Sequence, residues 1–341
     1  IKHLLQDVDR LEVAGPGFLN VFLSEAKISA QSIELLKTKN GVISGKTTSG
    51  APKVFVEYTD PNPFKELHIG HLYSNSVGES LARLYSEVGC DVRRADYFGD
   101  VGMHVAKSIW GMMHLVADEK KTISQWVSEM ETKTLVERSA TLGRCYAAGS
   151  TAYEESADAK EAMKDINYYV YIAGQEYMTE TVGWKPQIDY KSYVEMNEKM
   201  YENVKALYFA GKSWSMEYFK SIFHHMGTEF DYYFPESIVG ETGYKIVQNG
   251  LTSGIFEKSD GSIIYRGDLE GLHTRVFVNS LGLPTYEAKE LGLAVYKYEQ
   301  FPYDLSIVVT GKEIDDYFAV LMSALSKIRP DLSKITKHIG H

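Results

Sequence analysis

Two histidines three residues apart are the first candidates for chemistry in this sequence. His68 and His71 belong to the tetrapeptide His-Ile-Gly-His, which recurs at His338–His341. Imidazoles with this spacing lie on one face of a helix and can donate hydrogen bonds to phosphoryl oxygens. The same pair could instead supply half of a metal site or cap a helix. The sequence offers no evident third ligand, so we predict no metal site.

The segments around the first tetrapeptide favour a phosphate site there. A β-rich run at Lys53–Tyr58 leads through a proline-rich turn into His71–Val88, where apolar residues recur at helical spacing. A strand-to-helix junction presents free N–H groups and the positive end of the helix dipole to an anion. Gly70 has no Cβ, so a flat base or a sugar can approach the backbone closely.

The second tetrapeptide lies in a different context. It follows "SALSKIRPDLSKITK", which has the pattern of a helix and then a loop. We expect no strand before it, and therefore none of the strand-to-helix geometry that would make a phosphate site.

The wider pattern indicates an α/β domain with a large helical insertion. The run at Lys53 is followed by a helix, by a strand-like "DVRRADYFGD" and by a helix from Met103; such a βαβ unit implies a parallel sheet. Residues 117–234 are almost entirely helical in pattern. Beyond them come a hairpin signature, a strand, a helix and a strand: Ser259-Asp260-Gly261, Thr274–Asn279, Tyr286–Tyr298 and Leu305–Gly311.

These patterns divide the chain into four parts. Residues 1–45 contain a short strand at Phe18–Leu23, and a linker rich in Gly, Ser, Thr and Lys covers Lys37–Lys53. Residues 46–116 form the first half of the α/β domain, residues 117–237 the helical insertion, and residues 238–341 the second half.

Composition excludes several broad classes of protein. The chain has 341 residues, 44% hydrophobic and 24% charged, as in ordinary globular proteins. No apolar run approaches the roughly 20 residues of a membrane helix. The formal charge of −10 argues against extensive non-specific contacts with nucleic acid. Cys90 and Cys145 are too few for a disulfide framework or a Cys-rich zinc site. We expect a cytoplasmic monomer with no membrane partner.

The context of the first tetrapeptide resembles one protein family. The segment "VFVEYTDPNPFKELHIGHLYSNSVGESLARLYSEVGCDVRRADYFGDVGMH" (Val54–His104) resembles the catalytic core of the class I aminoacyl-tRNA synthetases, and within them the arginyl-tRNA synthetases. Its Glu-Tyr-x-x-Pro-Asn-Pro lead and its later Gly-Asp-x-Gly carry the likeness, which extends over most of residues 50–341. The resemblance implies a Rossmann-like nucleotide-binding catalytic domain that uses ATP, Mg²⁺, L-arginine and tRNA(Arg).

The resemblance also implies roles for particular residues, with the two histidines of the first tetrapeptide as the catalytic pair. The residues that it assigns to ATP are His68, Gly70, His71, Lys65, Gly99, Asp100 and Gly102, and those that it assigns to arginine are Glu57, Asn62, Tyr286 and Glu290. His104 occupies a place where the family has Gln or His. The family usually has Asp where this chain has Glu290. Near Lys312-Glu313-Ile314 the family shows Asn-Glu-Gln or Gln-Gln, and we leave that subsite open because Ile314 offers no polar contact.

The reaction implied is that of an arginine–tRNA ligase, which makes arginyl-adenylate from arginine and ATP and then transfers the arginyl group to tRNA. In the family a lysine-rich loop follows a stretch like the second tetrapeptide. We therefore expect this chain to be a fragment that ends before that loop, begins with the remnant of an N-terminal tRNA-binding domain, and is inactive alone. Two alternatives stay open: a non-catalytic synthetase paralogue or tRNA-binding module, and a small-molecule nucleotidyltransferase that shares the histidine motif.

Overall fold

The computed structural model describes residues 7–37, 50–183, 185–186, 191 and 195–341 of the chain. The linker predicted at Lys37–Lys53 and the predicted boundary after residue 45 lie mostly outside these ranges. On the N-terminal side of the linker, β1 (Val8–Ala14) pairs antiparallel with β2 (Phe18–Leu23), and α1 (Glu25–Lys37) follows. The strand predicted at Phe18–Leu23 is therefore confirmed.

Strands and helices alternate through the rest of the chain. Their bounds, in chain order, are β3 (Lys53–Glu57), α2 (Ile69–Glu87), β4 (Asp91–Phe98), α3 (Met103–Asp118), α4 (Ile123–Glu131), α5 (Leu135–Glu155), α6 (Ala157–Val182), α7 (Glu198–His225), β5 (Tyr232–Pro235), α8 (Glu236–Thr252), β6 (Glu257–Ser259), β7 (Ser262–Tyr265), β8 (Arg275–Val278), α9 (Tyr286–Gln300), β9 (Leu305–Thr310), α10 (Asp315–Ile328), α11 (Pro330–Ile335) and β10 (Thr336–Gly340). Among the described residues, no helix combines the length and the apolar character that a membrane crossing requires.

Five of these strands form one parallel sheet in the order β10-β9-β3-β4-β5. The chain enters the sheet at its centre with β3, moves to one edge through β4 and β5, and returns on the other side with β9 and β10. The strand order therefore reverses between β3 and β9. At such a switch point the carboxyl ends of the strands open a crevice for ligands. The predicted α/β fold with a Rossmann-like parallel sheet is confirmed.

The central strand β3 is buried on both faces. Val54 and Val56 pack with residues of α2 and α7, whereas Phe55 packs with residues of α9 on the opposite face. A continuous apolar run is typical of a parallel strand that helices cover on both sides. Glu57 ends the strand and is only 1% exposed, beside Val308 of β9. A carboxylate is thereby placed at the switch point.

The helical pattern noted over residues 117–234 corresponds, in the part of the chain that the structure describes, to α4 to α7, followed at its end by strand β5; the insertion bounds of 117–237 stay a prediction. This helical part is attached to the first half of the domain where α3 and α5 cross at two glycines. A Cβ on Gly111 would come within 2.1 Å of the Cys145 carbonyl oxygen, and a Cβ on Gly149 within 2.0 Å of the Lys107 carbonyl oxygen. The two helices can therefore approach this closely only because both positions lack a side chain.

A second, antiparallel sheet has the order β6-β7-β8. The predicted hairpin at Ser259-Asp260-Gly261 is confirmed, since Asp260 and Gly261 have φ angles of 47° and 78°, as a two-residue type I′ turn requires. The strand, helix and strand predicted after it correspond to β8, α9 and β9, with ends that differ by at most two residues.

The loop predicted before the second tetrapeptide is wrong. Thr336–Gly340 form β10, which pairs in parallel with β9 at the edge of the sheet. The backbone groups of β9 on that side need partners, and β-branched residues such as Ile339 suit a strand. The His338 ring stacks on Phe318 with 3.8 Å between centroids. Because β10 runs parallel to β9, His341 lies at the carboxyl end of the sheet, the same end as the first tetrapeptide.

Candidate active site

Two adjoining cavities lie at the switch point between β3 and β9. The larger, here called the cleft, has a volume of about 790 Å³, and the smaller, here called the pocket, about 150 Å³. They share Asp60, Asn62, Thr310 and Ile314 as lining residues. Because their walls are shared, a molecule in the pocket and a molecule in the cleft would lie next to each other.

The first tetrapeptide forms one wall of the cleft at the start of α2. The rings of His68 and His71 stack with 3.8 Å between centroids, and His71 Nδ1 accepts the His68 backbone N–H at 3.2 Å. A Cβ on Gly70 would come within 3.0 Å of the His68 ring, so glycine suits this position. Both predicted catalytic residues and Gly70 thus lie at a helix N-terminus, where an anion is favoured.

His71 is a neutral hydrogen-bond donor in this setting. Burial, and then the neighbouring His68 and Lys65, lower the pKa of His71 to about 4. Because its Nδ1 accepts a hydrogen bond, the proton of the neutral ring lies on Nε2. The Nε2–H group is therefore available to an oxygen of a ligand at neutral pH.

Three residues that the resemblance assigns to ATP do not line the cleft or the pocket. Lys65 places its Nζ 4.2 Å from the centre of the Tyr146 ring. Asp100 is fully buried and accepts a hydrogen bond from Lys212 Nζ at 2.6 Å. Gly102, with φ of 118°, directly precedes α3. The geometry of these three residues gives no further support to their assignment to ATP, which stays a prediction.

Gly99 lines the pocket rather than the cleft. A Cβ at this position would come within 2.3 Å of Asn62 Oδ1, so glycine leaves room for the Asn62 amide. His104 joins the Gly99 turn to α9, since its Nε2 lies 2.7 Å from the Gly99 oxygen and its Nδ1 lies 3.3 Å from Tyr286 Oη. Burial, and then Lys65, lower the pKa of His104 to about 3, so this ring is neutral as well.

The four residues that the resemblance assigns to arginine lie together in the pocket. They are Glu57, Asn62, Tyr286 and Glu290. Glu57 and Asn62 lie at the end of β3 and in the turn after it, whereas the other two lie on α9, more than 200 residues later in the sequence. Two further acidic residues, Asp60 and Glu236, complete a wall with four carboxyl groups. The structure brings these residues together, and their role in binding stays a prediction.

Two of the four carboxylates are paired with buried lysines. Glu57 Oε2 accepts from Lys297 Nζ at 2.9 Å, and Glu236 Oε2 accepts from Lys289 Nζ at 2.5 Å. All four of these side chains are at most 3% exposed. A buried ion pair of this kind holds its members in fixed positions, because a displaced partner would leave an uncompensated charge.

The other two carboxyl groups, Asp60 and Glu290, have raised pKa values, with burial as the main cause and the charge of Glu57 as the next. Burial also raises the pKa of Glu236, although Lys289 acts in the opposite direction. A cation that enters the pocket would favour the ionised form of each group, since opposite charges at short range stabilise one another. The pocket is therefore suited to a small positively charged group.

Asp60 and Glu236 are not among the residues predicted from the sequence, although their positions after strands indicate them. Asp60 lies in "TDPNP" shortly after β3, and Glu236 comes directly after β5. Acidic residues that follow strands of one parallel sheet meet at one edge, so both belonged on the list of candidates. The left-handed backbone of Asp60, with φ of 50°, and its hydrogen bond from the Tyr97 N–H at 3.0 Å could not be read from the letters.

Two residues near the end of the chain also contribute to the walls. Ile314 lines both cavities, so the subsite left open in the sequence has an apolar wall. His341 lines the cleft, with its Nε2 2.6 Å from Ser74 Oγ on α2. Both copies of the tetrapeptide therefore contribute to the cleft, whereas only the first was expected to.

A parallel sheet with this strand order and a cleft at its switch point has the architecture of a Rossmann-like α/β domain. The family described as "tRNA synthetases class I (R), catalytic domain" matches residues 32–341, and the chain belongs to this family. Among curated relatives, the chain is similar to an arginine–tRNA ligase of Treponema pallidum, with 24% identity over 97% of the chain and 50% of the relative. It is also similar to one of Flavobacterium psychrophilum, with 26% identity over 100% of the chain and 54% of the relative.

The solved structures with a similar fold include two arginyl-tRNA synthetases. That of Plasmodium falciparum has a TM-score of 0.61 and 18% identity, covering 98% of this chain and 52% of that one. That of Thermus thermophilus has a TM-score of 0.59 and 18% identity, covering 98% of this chain and 54% of that one. The chain spans about half the length of the curated relatives that it matches.

Proposed function

We propose that this chain binds L-arginine and ATP as the catalytic part of an arginine–tRNA ligase. The observation that carries the proposal is the carboxylate-lined pocket that opens into the histidine-lined cleft, with Asp60 and Asn62 in the wall common to both. A guanidinium is a planar cation with a fork of N–H donors, and carboxylates are the groups that match it. The family membership and the curated arginine–tRNA ligases support the same assignment.

In this proposal the guanidinium of arginine lies between Glu57 and Glu290, and the α-carboxylate points into the cleft. The α-phosphate of ATP lies near His68 and His71. The carboxylate oxygen attacks the α-phosphorus, the bond to the bridging oxygen of pyrophosphate breaks, and arginyl-adenylate and pyrophosphate result. The residues supply position and stabilise charge on the phosphoryl oxygens, and His71 donates from Nε2.

The other participants are tRNA(Arg), which would receive the arginyl group, and Mg²⁺. Among the described residues, no group of three or more His, Cys, Asp or Glu side chains is arranged to hold a metal ion. In this proposal Mg²⁺ enters with the triphosphate, whose charge it neutralises. We also propose a cytoplasmic location, with which the free thiols of Cys90 and Cys145 agree, as in proteins of a reducing compartment. The monomeric state stays a prediction.

Calorimetric titration with L-arginine and with citrulline, both in the presence of a non-hydrolysable ATP analogue, tests the proposal. Citrulline has nearly the same shape as arginine and carries no charge, so the carboxylate pocket should reject it. We expect arginine to bind at least tenfold more tightly, which corresponds to about 1.4 kcal/mol. Equal or tighter binding of citrulline would rule out recognition of the guanidinium. A tRNA-binding module without the activity would bind neither amino acid.

A further inference from the structure

Asn75 lies on α2 outside both cavities and is 1% exposed. Its side-chain amide has a partner on each side: Nδ2 donates to Thr59 Oγ1 at 2.9 Å, and Oδ1 accepts from Thr228 Oγ1 at 2.8 Å. Thr59 and Thr228 are buried too, at 6% and 3% exposed. The three side chains form a hydrogen-bonded line from the segment after α7, through α2, to the turn after β3.

The turn at the end of this line has an unusual backbone. Thr59 has a φ of 82°, and Asp60 after it has a φ of 50°. The left-handed region is rarely adopted by a β-branched residue, and such a conformation persists only where the surroundings hold it. The hydroxyl of Thr59 is held by the Asn75 amide, whose own orientation is set by Thr228.

The direction in which the chain leaves β3 depends on this turn. Asp60 and Asn62 lie in the wall shared by the pocket and the cleft, and the Asp60 carboxylate accepts the Tyr97 N–H at 3.0 Å. A change of φ at Thr59 would rotate everything that follows it, so Asp60 and Asn62 would leave the wall. Glu57 comes before the turn and is fixed separately by Lys297.

We propose that Asn75 is a positioning residue for substrate binding: by holding Thr59 in its left-handed conformation, it keeps Asp60 and Asn62 in the wall of the arginine pocket. This inference rests on the proposed function. Asn75 would affect the affinity for arginine without contacting arginine. The histidines of the cleft are ordered by their own contacts at the start of α2, whereas Thr59, Asp60 and Asn62 also line the cleft, so we expect ATP binding to weaken less than arginine binding when Asn75 is replaced.

The test measures the dissociation constants of L-arginine and of a non-hydrolysable ATP analogue, together with the urea midpoint of unfolding. Asn75→Ala is expected to weaken arginine binding about tenfold, equivalent to about 1.4 kcal/mol, and to weaken ATP-analogue binding by a smaller factor, about two- to threefold. Thr228→Val removes the hydroxyl that orients the amide and is expected to have a similar effect on arginine. Thr228→Ser keeps the hydroxyl and should bind arginine like the unchanged protein.

The double variant Asn75→Ala/Thr228→Val is expected to lose no more than Asn75→Ala alone, because both changes break one line of hydrogen bonds. Equal losses for arginine and the ATP analogue would show a general loss of structure and overturn the inference. Normal arginine binding in both Asn75→Ala and Thr228→Val would overturn it while leaving the proposed function intact. If the unchanged protein does not bind arginine, the proposed function fails and this inference fails with it.

Discussion

Replacing Glu290 with glutamine is expected to weaken L-arginine binding by roughly 100-fold, or about 2.7 kcal/mol, while the fold stays intact. A hydrogen bond between two charged groups is worth about 1.5–3 kcal/mol, and glutamine offers only a neutral amide in place of the carboxylate. Glu290 lies in the pocket next to Glu57, whose charge helps to raise the pKa of Glu290. Because burial and Glu57 both disfavour the ionised form of Glu290, the neutral glutamine should not lower the free energy of unfolding. Calorimetry gives the affinity, and urea unfolding gives the stability.

Glu57→Gln is the matched control, because it changes the same chemical group in the same pocket. Lys297 would then lose its buried partner, so we expect a loss of about 3–5 kcal/mol of stability in addition to weaker binding. The different outcomes separate a carboxylate that serves mainly the ligand from one that also serves the fold. Unchanged arginine affinity in Glu290→Gln would contradict the assignment of this residue.

The pH dependence of Glu290 gives a second measure of the same effect. Its pKa is raised above the ordinary value of 4.5, so above pH 4.5 part of the ligand-free protein still carries the proton. The guanidinium needs the carboxylate, and arginine affinity should therefore increase as pH rises through the raised pKa. The stability of the ligand-free fold has the opposite sign: it falls with rising pH, because the folded state keeps a proton that the unfolded state releases. Both slopes should become shallower in Glu290→Gln.

Replacing Lys212 with methionine is expected to destabilise the protein by about 3–5 kcal/mol. Lys212 and Asp100 form an ion pair at 2.6 Å with side chains 2% and 0% exposed. Burial alone would raise the pKa of Asp100, but Lys212 and the Ser237 hydrogen bonds hold it below its ordinary value. Without Lys212 a buried carboxylate would have no cation beside it. The stabilising effect of the pair is present above pH 3.8 and is lost as pH falls through the lowered pKa of Asp100.

The pair also has a consequence for the site. Asp100 accepts from the Ser237 N–H at 2.9 Å and from its hydroxyl at 2.6 Å, which fixes the start of α8 next to Glu236 of the pocket. Lys205→Met is a matched control on the same helix, since Lys205 is partly exposed and its ion pairs should contribute less than about 1 kcal/mol. Equal shifts of the urea midpoint in the two variants would refute the role given to the buried pair.

The sequence predicted the fold wherever the pattern is local. Apolar spacing over residues 71–88 gave α2, and the Asp260-Gly261 signature gave the β6–β7 hairpin, because these elements depend on neighbouring residues. The strand β10 was not predicted, since a short edge strand depends on the open side of β9, which lies about 30 residues away in sequence.

The candidate site was predictable only in part, for a related reason. The resemblance indicated Glu57, Asn62, Tyr286 and Glu290, and the structure places them in one pocket. The ion pairs that fix the pocket walls join residues 53, 112 and 240 positions apart, and no local pattern reveals them. Likewise, the residue type does not predict the positive φ of Thr59, because that conformation depends on Asn75 and on the packing around it.

A crystal structure of the chain with L-arginine and a non-hydrolysable ATP analogue would test most directly whether the pocket and the cleft are adjoining subsites for arginine and ATP. We expect the guanidinium within about 2.7–2.9 Å of the Glu57 and Glu290 carboxylates. We also expect the α-carboxylate to point at an α-phosphate that lies beside His68 and His71. Arginine bound elsewhere, or bound with its guanidinium in the cleft and its carboxylate in the pocket, would rule out this arrangement of subsites.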